Sequence, residues 1–251
     1  MTVMLIVILG LLGLAVGSFL NVCIDRLPAK KSLAYPPSHC NSCGHVLSVK
    51  DLVPVFSYLR LRGKCRYCGA RIPVRVPLVE SAAGLLFSFL FWKYGLTYQF
   101  ALVGIYSCVL LVLAVIDLEH RLILNVIVYP VAIIALIADI LIPGIGILSG
   151  LGGGAIGFGI LLIPAIVSRR GMGWGNVKMA GLIGLMTGYP RVFVAILSGI
   201  ILGGLTAVAL LLLKKKTRKD AIPFGPFLSI GSFLALLWGQ EIIRWYLNLL
   251  N

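Results

Sequence analysis

Apolar runs of about twenty residues, separated by short polar stretches, dominate this chain. Eight can be traced, at about 2–21, 78–95, 98–116, 122–142, 146–167, 177–190, 192–213 and 226–247. Runs of this length suit helices that cross the ~30 Å hydrocarbon core of a bilayer. The pattern therefore predicts an all-α polytopic membrane protein with about eight transmembrane helices. The sixth run is short and glycine-rich; if it is tilted or re-entrant, the count becomes seven. One long stretch interrupts the pattern. Residues 23–77 carry Pro28, Pro36, Pro37, Pro54, Pro73 and Pro77 together with Cys40, Cys43, Cys65 and Cys68. The predicted organisation is a first transmembrane helix at 1–22, a small metal-stapled domain at 23–77, and a seven-helix core at 78–251.

Composition supports the membrane assignment and charge orients it. The chain is 60% hydrophobic and 12% charged, whereas soluble domains are about half apolar and a quarter charged. Of the 22 Lys and Arg, all but Lys93, Arg191 and Arg244 fall in the 23–77 loop, at Arg121, Arg169, Arg170 and Lys178, or in the run 214–219. The positive-inside rule places those segments in the cytoplasm and, with eight spans, both termini outside. The net charge of +14 is read as juxtamembrane cations facing anionic lipid headgroups. No aromatic residues interleave with the basic ones as a nucleic-acid surface would require. The first run lacks a basic leader and is too long for a signal-peptide core, so it reads as a retained anchor.

Two motifs carry chemistry. Cys40-Asn41-Ser42-Cys43 and Cys65-Arg66-Tyr67-Cys68, each followed by glycine, form paired C-x-x-C knuckles. Two such knuckles in one reducing loop predict a closed, structural tetrathiolate zinc site, with His39 and His45 as bystanders. Cys23 and Cys108 are left as buried or interfacial thiols. The second feature is a pair of polar breaks, 59 residues apart between Asp117 and Asn176. One reads Val115-Ile116-Asp117-Leu118-Glu119-His120-Arg121, the other Gly171-Met172-Gly173-Trp174-Gly175-Asn176-Val177-Lys178. Polar groups at a membrane edge are costly and are usually kept for function. Taken alone, Asp117 could be an ordinary interfacial acid and Asn176 an ordinary helix cap. Asp139 reads as an interfacial or packing residue, and the many membrane glycines as close helix contacts.

Taken together, these segments resemble the bacterial type IV prepilin peptidases, membrane aspartic proteases of the GxGD class. The likeness runs through Phe19–Val22 and Arg26–Pro28, the cysteine knuckles, Pro54–Leu59, Gly63–Cys65, Ile116-Asp117, Gly173–Lys178 and Ile222–Phe227. Leu124 stands where the family's first aspartate motif usually ends in proline. The resemblance implies cleavage of the basic leader of prepilins and pseudopilins at the cytoplasmic membrane face by an aspartate dyad. It also implies methylation of the new N-terminus with S-adenosylmethionine as donor. Asp117 takes the first aspartate position. The second holds Asn176, which reads as an Asp→Asn replacement that spares binding and removes cleavage.

Glu80, Glu119 and Asp25 are candidate contacts for the basic leader or the new amine, and Lys178 joins them as a substrate-side residue. Two other classes compete with the enzyme. A non-catalytic scaffold or substrate-binding pseudoenzyme would hold a helix without cutting it. A transporter would need a polar path across the membrane, but the ionisable residues cluster at one edge.

Overall fold

The computed structural model describes residues 2–142, 146–167, 173–215 and 222–250. Arg169, Arg170, Gly171, Met172 and the 216–220 part of the basic run lie outside the described residues. No strand is found among those described. The helices are α1 (Thr2–Arg26), α2 (Phe56–Arg60), α3 (Arg75–Tyr94), α4 (Tyr98–His120), α5 (Asn125–Leu141), α6 (Ile147–Val167), α7 (Trp174–Thr187), α8 (Arg191–Leu212) and α9 (Gly225–Leu250), with a single 3-10 turn at Val49–Asp51.

Each of the eight apolar runs contributes a helix, but not all are long enough to span. Among the described residues, α1, α3, α4, α6, α8 and α9 have the length and apolarity to cross a bilayer, and α5 is a shorter apolar helix of 17 residues. At 1.5 Å per residue the 14 residues of α7 reach only about 21 Å. Six to seven of the eight apolar helices are thus long enough to span by themselves, and α7 is the short one. Helix α7 can be short because protein surrounds it: Val177, Met179, Ala180, Leu182, Ile183 and Met186 are all at most 2% exposed. Helix α1 continues five residues beyond the apolar run, to Arg26. Asn21 supports that extension, its side-chain amide donating to the carbonyls of Gly17 (3.3 Å) and Val76 (3.0 Å).

The chain divides into two compact units, residues 1–108 and 109–251, so α3 groups with α1 and the cysteine loop. In the first unit, α1 lies against α3 along its glycines. A Cβ on Gly13 would stand 2.6 Å from the Ala83 carbonyl oxygen, and one on Gly17 2.6 Å from the Glu80 Cα. In the second unit, Gly153 and Gly157 of α6 meet Gly184 and Ala180 of α7 backbone to backbone, and α8 meets α9 at Gly199 and Gly231. Small residues permit this approach, and dispersion between the touching backbones holds it.

That geometry gives a paired prediction. Gly184→Ala would push a methyl group into the Gly153 carbonyl and should cost about 1–3 kcal/mol through overpacking. Gly159→Ala, where no atom lies within 4 Å of the new Cβ, should be neutral or gain up to about 1 kcal/mol of helix propensity. Thermal unfolding in detergent should lower Tm for the first variant only.

Candidate active site and tetra-cysteine centre

The acid Asp117 occupies the last turn of α4 and is 5% exposed. Its Oδ2 accepts the backbone N–H of Gly225, at the start of α9, over 2.7 Å. Farther back on α4, the Leu110 carbonyl accepts the Ser229 hydroxyl at 3.0 Å, so α9 is stitched to this half of α4 at two points. The chain leaves α4 through Arg121, whose φ of 55° turns it sharply. It enters α5 through Leu124 at φ −82°. That angle is close to the value proline fixes, so leucine there keeps the loop's course.

The second polar break begins α7. Gly173 is its N-cap, and Asn176 sits in the first turn, its N–H donating to the Gly173 carbonyl at 3.0 Å. Asn176 is therefore not the cap that its residue type permits. Its Oδ1 is buried and has no hydrogen-bond partner among the described residues. An orphaned buried acceptor costs about 1–3 kcal/mol, so no bond from this oxygen explains its presence.

The second break meets the loop that follows the first. A Cβ on Gly175 would lie 2.9 Å from the Ile123 Cβ, in the loop that follows Asp117. Glycine is what lets the start of α7 come this close. Next to it, Lys178 Nζ donates to Asn125 Oδ1 at 3.1 Å and lies 5.8 Å from the Tyr129 ring centroid, tying α7 to α5. Asn176 also borders a cavity of about 280 Å3, walled by Gly203, Gly204 and Ala207 of α8 and by Ile222, Pro223, Phe224 and Phe227. The segment 222–227 thus touches both candidate positions: Gly225 binds Asp117, and its neighbours wall the space beside Asn176. In the sequence this segment stands out only as a motif, with no task attached to it. No local pattern announces a contact between residues 108 positions apart.

The remaining candidates divide between the units. In the second, Glu119 is exposed beside His120, at 4.0 Å. In the first, Asp25 pairs with Arg75 at 2.6 Å. Glu80 is 5% exposed, and its Oε2 accepts the N–H of Val55 at 2.7 Å, a residue held at φ 60°. The Glu80 carboxylate thereby anchors the loop to α3.

The cysteine loop folds as two alike knuckles. In each, the first cysteine's N–H binds a carbonyl five residues on (His45 or Ala70), and its carbonyl accepts the glycine N–H that follows the pair. Gly44 and Gly69 adopt φ of 70° and 73°, the left-handed turn that glycine takes without cost. The four sulfurs lie within 4.8 Å of one another, and those of Cys40 and Cys68 are 3.8 Å apart. Sulfurs of a tetrahedral site with ~2.3 Å metal–sulfur bonds stand about 3.8 Å apart, so the set fits a metal ion.

The thiols also differ electrically. The Cys43 and Ser42 N–H groups bring Cys40 down to about 6. At Cys68 the Ala70 N–H pulls downward, but desolvation and the neighbouring sulfurs of Cys43, Cys65 and Cys40 outweigh it and push that thiol up to about 12. Only a cation among them lets all four ionise together. Asp51 braces the second knuckle, accepting from Arg66 Nε (2.7 Å), Tyr67 OH (3.2 Å) and Ser48 Oγ (2.7 Å). Outside the cluster, Cys23 is buried and Cys108 half-buried, both free thiols.

Comparison with known proteins accords with this arrangement. Residues 11–94 match the bacterial peptidase A24 N-terminal domain, and residues 104–208 match the type IV leader peptidase family. A prepilin leader peptidase/N-methyltransferase of Pseudomonas aeruginosa is 35% identical, covering 95% of this chain and 92% of its own. Proteins of the same description from Pseudomonas putida (33%, covering 96% and 92%) and Bacillus subtilis (30%, covering 96% and 98%) are also similar. No solved structure matches the chain. The chain belongs to the type IV leader peptidase family.

Proposed function

We propose that this chain is built as a prepilin leader peptidase of the bacterial inner membrane, with Asp117 and position 176 as its two catalytic positions. The observation that carries the reading is the convergence of both positions on one wall. Gly225 holds Asp117, and Asn176 borders the cavity lined by Phe224 and Phe227. Peptide hydrolysis by an acid pair needs one carboxylate to take a proton from water and one carboxylic acid to polarise or protonate the peptide. Asp117 can fill one role. Asn176 can hydrogen-bond a substrate carbonyl but can neither deliver a carboxylic proton nor act as a base. The chain as it stands therefore binds prepilins and pseudopilins and cuts them very slowly. The amide gives specific support to a second reading, a binder that holds the substrate helix without cleaving it.

The bias of Lys and Arg places Asp117, Asn176 and the cysteine loop on the cytoplasmic side, with basic residues against anionic headgroups. There, exposed Glu119 is the acid we assign to the basic leader. Zinc is the ion we assign to Cys40, Cys43, Cys65 and Cys68, as a structural staple. Methylation of the new N-terminus with S-adenosylmethionine rests on the relatives' names. Among the described residues, the walls of the cavity beside Asn176 offer that donor no charged partner.

The test is leader removal from a model prepilin in liposomes by this chain and by its Asn176→Asp variant. Equal rates would sink the dyad assignment. The cavity adds a specificity test in the cleaving variant. Gly204 lines the cavity and has no atom within 4 Å of a would-be Cβ, so Gly204→Leu adds bulk at its wall. If the cavity seats an apolar substrate side chain, kcat/KM should fall roughly 10- to 200-fold, the usual worth of such a pocket. An unchanged kcat/KM would show that the substrate does not enter it.

A further inference from the structure

We propose that Gly225 is the positioning residue for Asp117, fixing one oxygen of the carboxylate so that the other faces water and substrate. The inference rests on the aspartate reading above. Two independent features of the contact carry it. The first is the hydrogen bond: the Gly225 N–H reaches Asp117 Oδ2 over 2.7 Å in a buried setting. The first N–H groups of a helix have no partner within it, and Pro226, next in line, has no N–H to offer. The second is steric. A Cβ on Gly225 would lie 2.7 Å from Asp117 Oδ2, 2.9 Å from its Cβ and 3.0 Å from its Cγ. Real side chains do not approach backbone-fixed groups so closely, so only glycine allows this donor to reach this acid.

The surroundings hold Gly225 in place from both sides. Pro223 and Pro226 restrict the chain before and after it. The ring of Phe224 packs against Gly203 of α8, where a Cβ would be only 3.1 Å away. A carboxylate in the last turn of a helix otherwise has a soft side-chain torsion. Clamping it to a neighbouring helix terminus removes that freedom before substrate arrives, and misplacements near 1 Å can cost about 10²-fold in rate.

The experiment uses the Asn176→Asp protein as parent, in detergent or liposomes with a model prepilin. Gly225→Ala should lower kcat by about 10²-fold while KM stays within about twofold and Tm within a few degrees. Ser229→Ala, which removes the other stitch between the same helices without touching Asp117, should keep the parent's kcat. If Gly225→Ala fails to fold, Asp117→Glu replaces it. The longer side chain keeps the acid but carries it past the Gly225 N–H, and kcat should fall alike with KM held. Retention of kcat by Gly225→Ala, or by Asp117→Glu, overturns the proposal. So does a parallel loss of kcat, KM and Tm, which is what a purely structural glycine would give. A parent that does not cleave at all overturns the aspartate reading, and this inference with it; a cleaving parent with a tolerant Gly225 overturns this inference alone.

Discussion

Asn176→Asp should raise the rate of prepilin leader removal by at least about 10²- to 10⁴-fold, the usual contribution of one positioned acid–base group. In activation free energy this is about 3–5 kcal/mol. The change belongs in kcat, because amide and carboxyl are nearly the same size and the walls of the cavity do not depend on which is present. The structure gives the replacement a favourable local balance. Asn176 Oδ1 is already a buried acceptor without a partner among the described residues, so that oxygen loses no bond. A protonated carboxyl there can donate to a substrate carbonyl, and an ionised one can take a proton from water. The restored pair should also show a bell-shaped pH profile, since one acid must be charged and the other neutral. The starting chain should show no such bell. The measurement is single-turnover cleavage across pH, with substrate affinity measured separately. A faster rate produced only by tighter binding would point to a pocket residue rather than a member of the dyad.

The parts of this molecule that were legible in its sequence are those governed by local pattern. Apolar runs longer than about twenty residues became helices because backbone groups in lipid must bond within their own segment. The cysteine knuckles were legible because spacing and a following glycine define the turn. What covers α7 was not legible, since apolarity alone does not say whether lipid or protein lies against a helix. Here glycines on α6 draw it into a protein interior. Asp117 and Asn176 each had an ordinary reading in isolation, and resemblance was needed to single them out. Their shared wall was not legible at all. That Gly225 serves Asp117 depends on where α9 begins relative to α4, a relation no local pattern encodes. Glu80 shows the same limit: its charge invited a substrate role, but the bond to Val55 that occupies one oxygen is made across 25 residues.

Stripping metal from the tetra-cysteine centre should unfold residues 27–74 as a unit while leaving the membrane helices intact. Of these residues, only Gly63 and Cys65 are buried, so the loop has almost no core of its own. Segments this small need a staple, and a structural zinc site supplies apparent binding energies of roughly 10–16 kcal/mol in small peptides at neutral pH. Nothing else in the loop approaches that. The Asp51 network with Arg66, Tyr67 and Ser48 is a partly exposed cluster whose ion pair is worth at most about 1 kcal/mol.

The expected result with a strong chelator is rapid proteolysis confined to 27–74, a small loss of helical signal, and recovery when zinc is restored. Cys43→Ser should do the same without chelator, because three thiolates leave the tetrahedron open. Acid should mimic the chelator and alkali should not. Metal binding requires thiolates, and protons compete for them. Cys40 is held low, at about 6, by its backbone N–H partners, so its thiolate persists at neutral pH. Release should therefore come on acidification and not at neutral or higher pH. A loop that stays protease-resistant in chelator at neutral pH would mean that the knuckles fold without their ion.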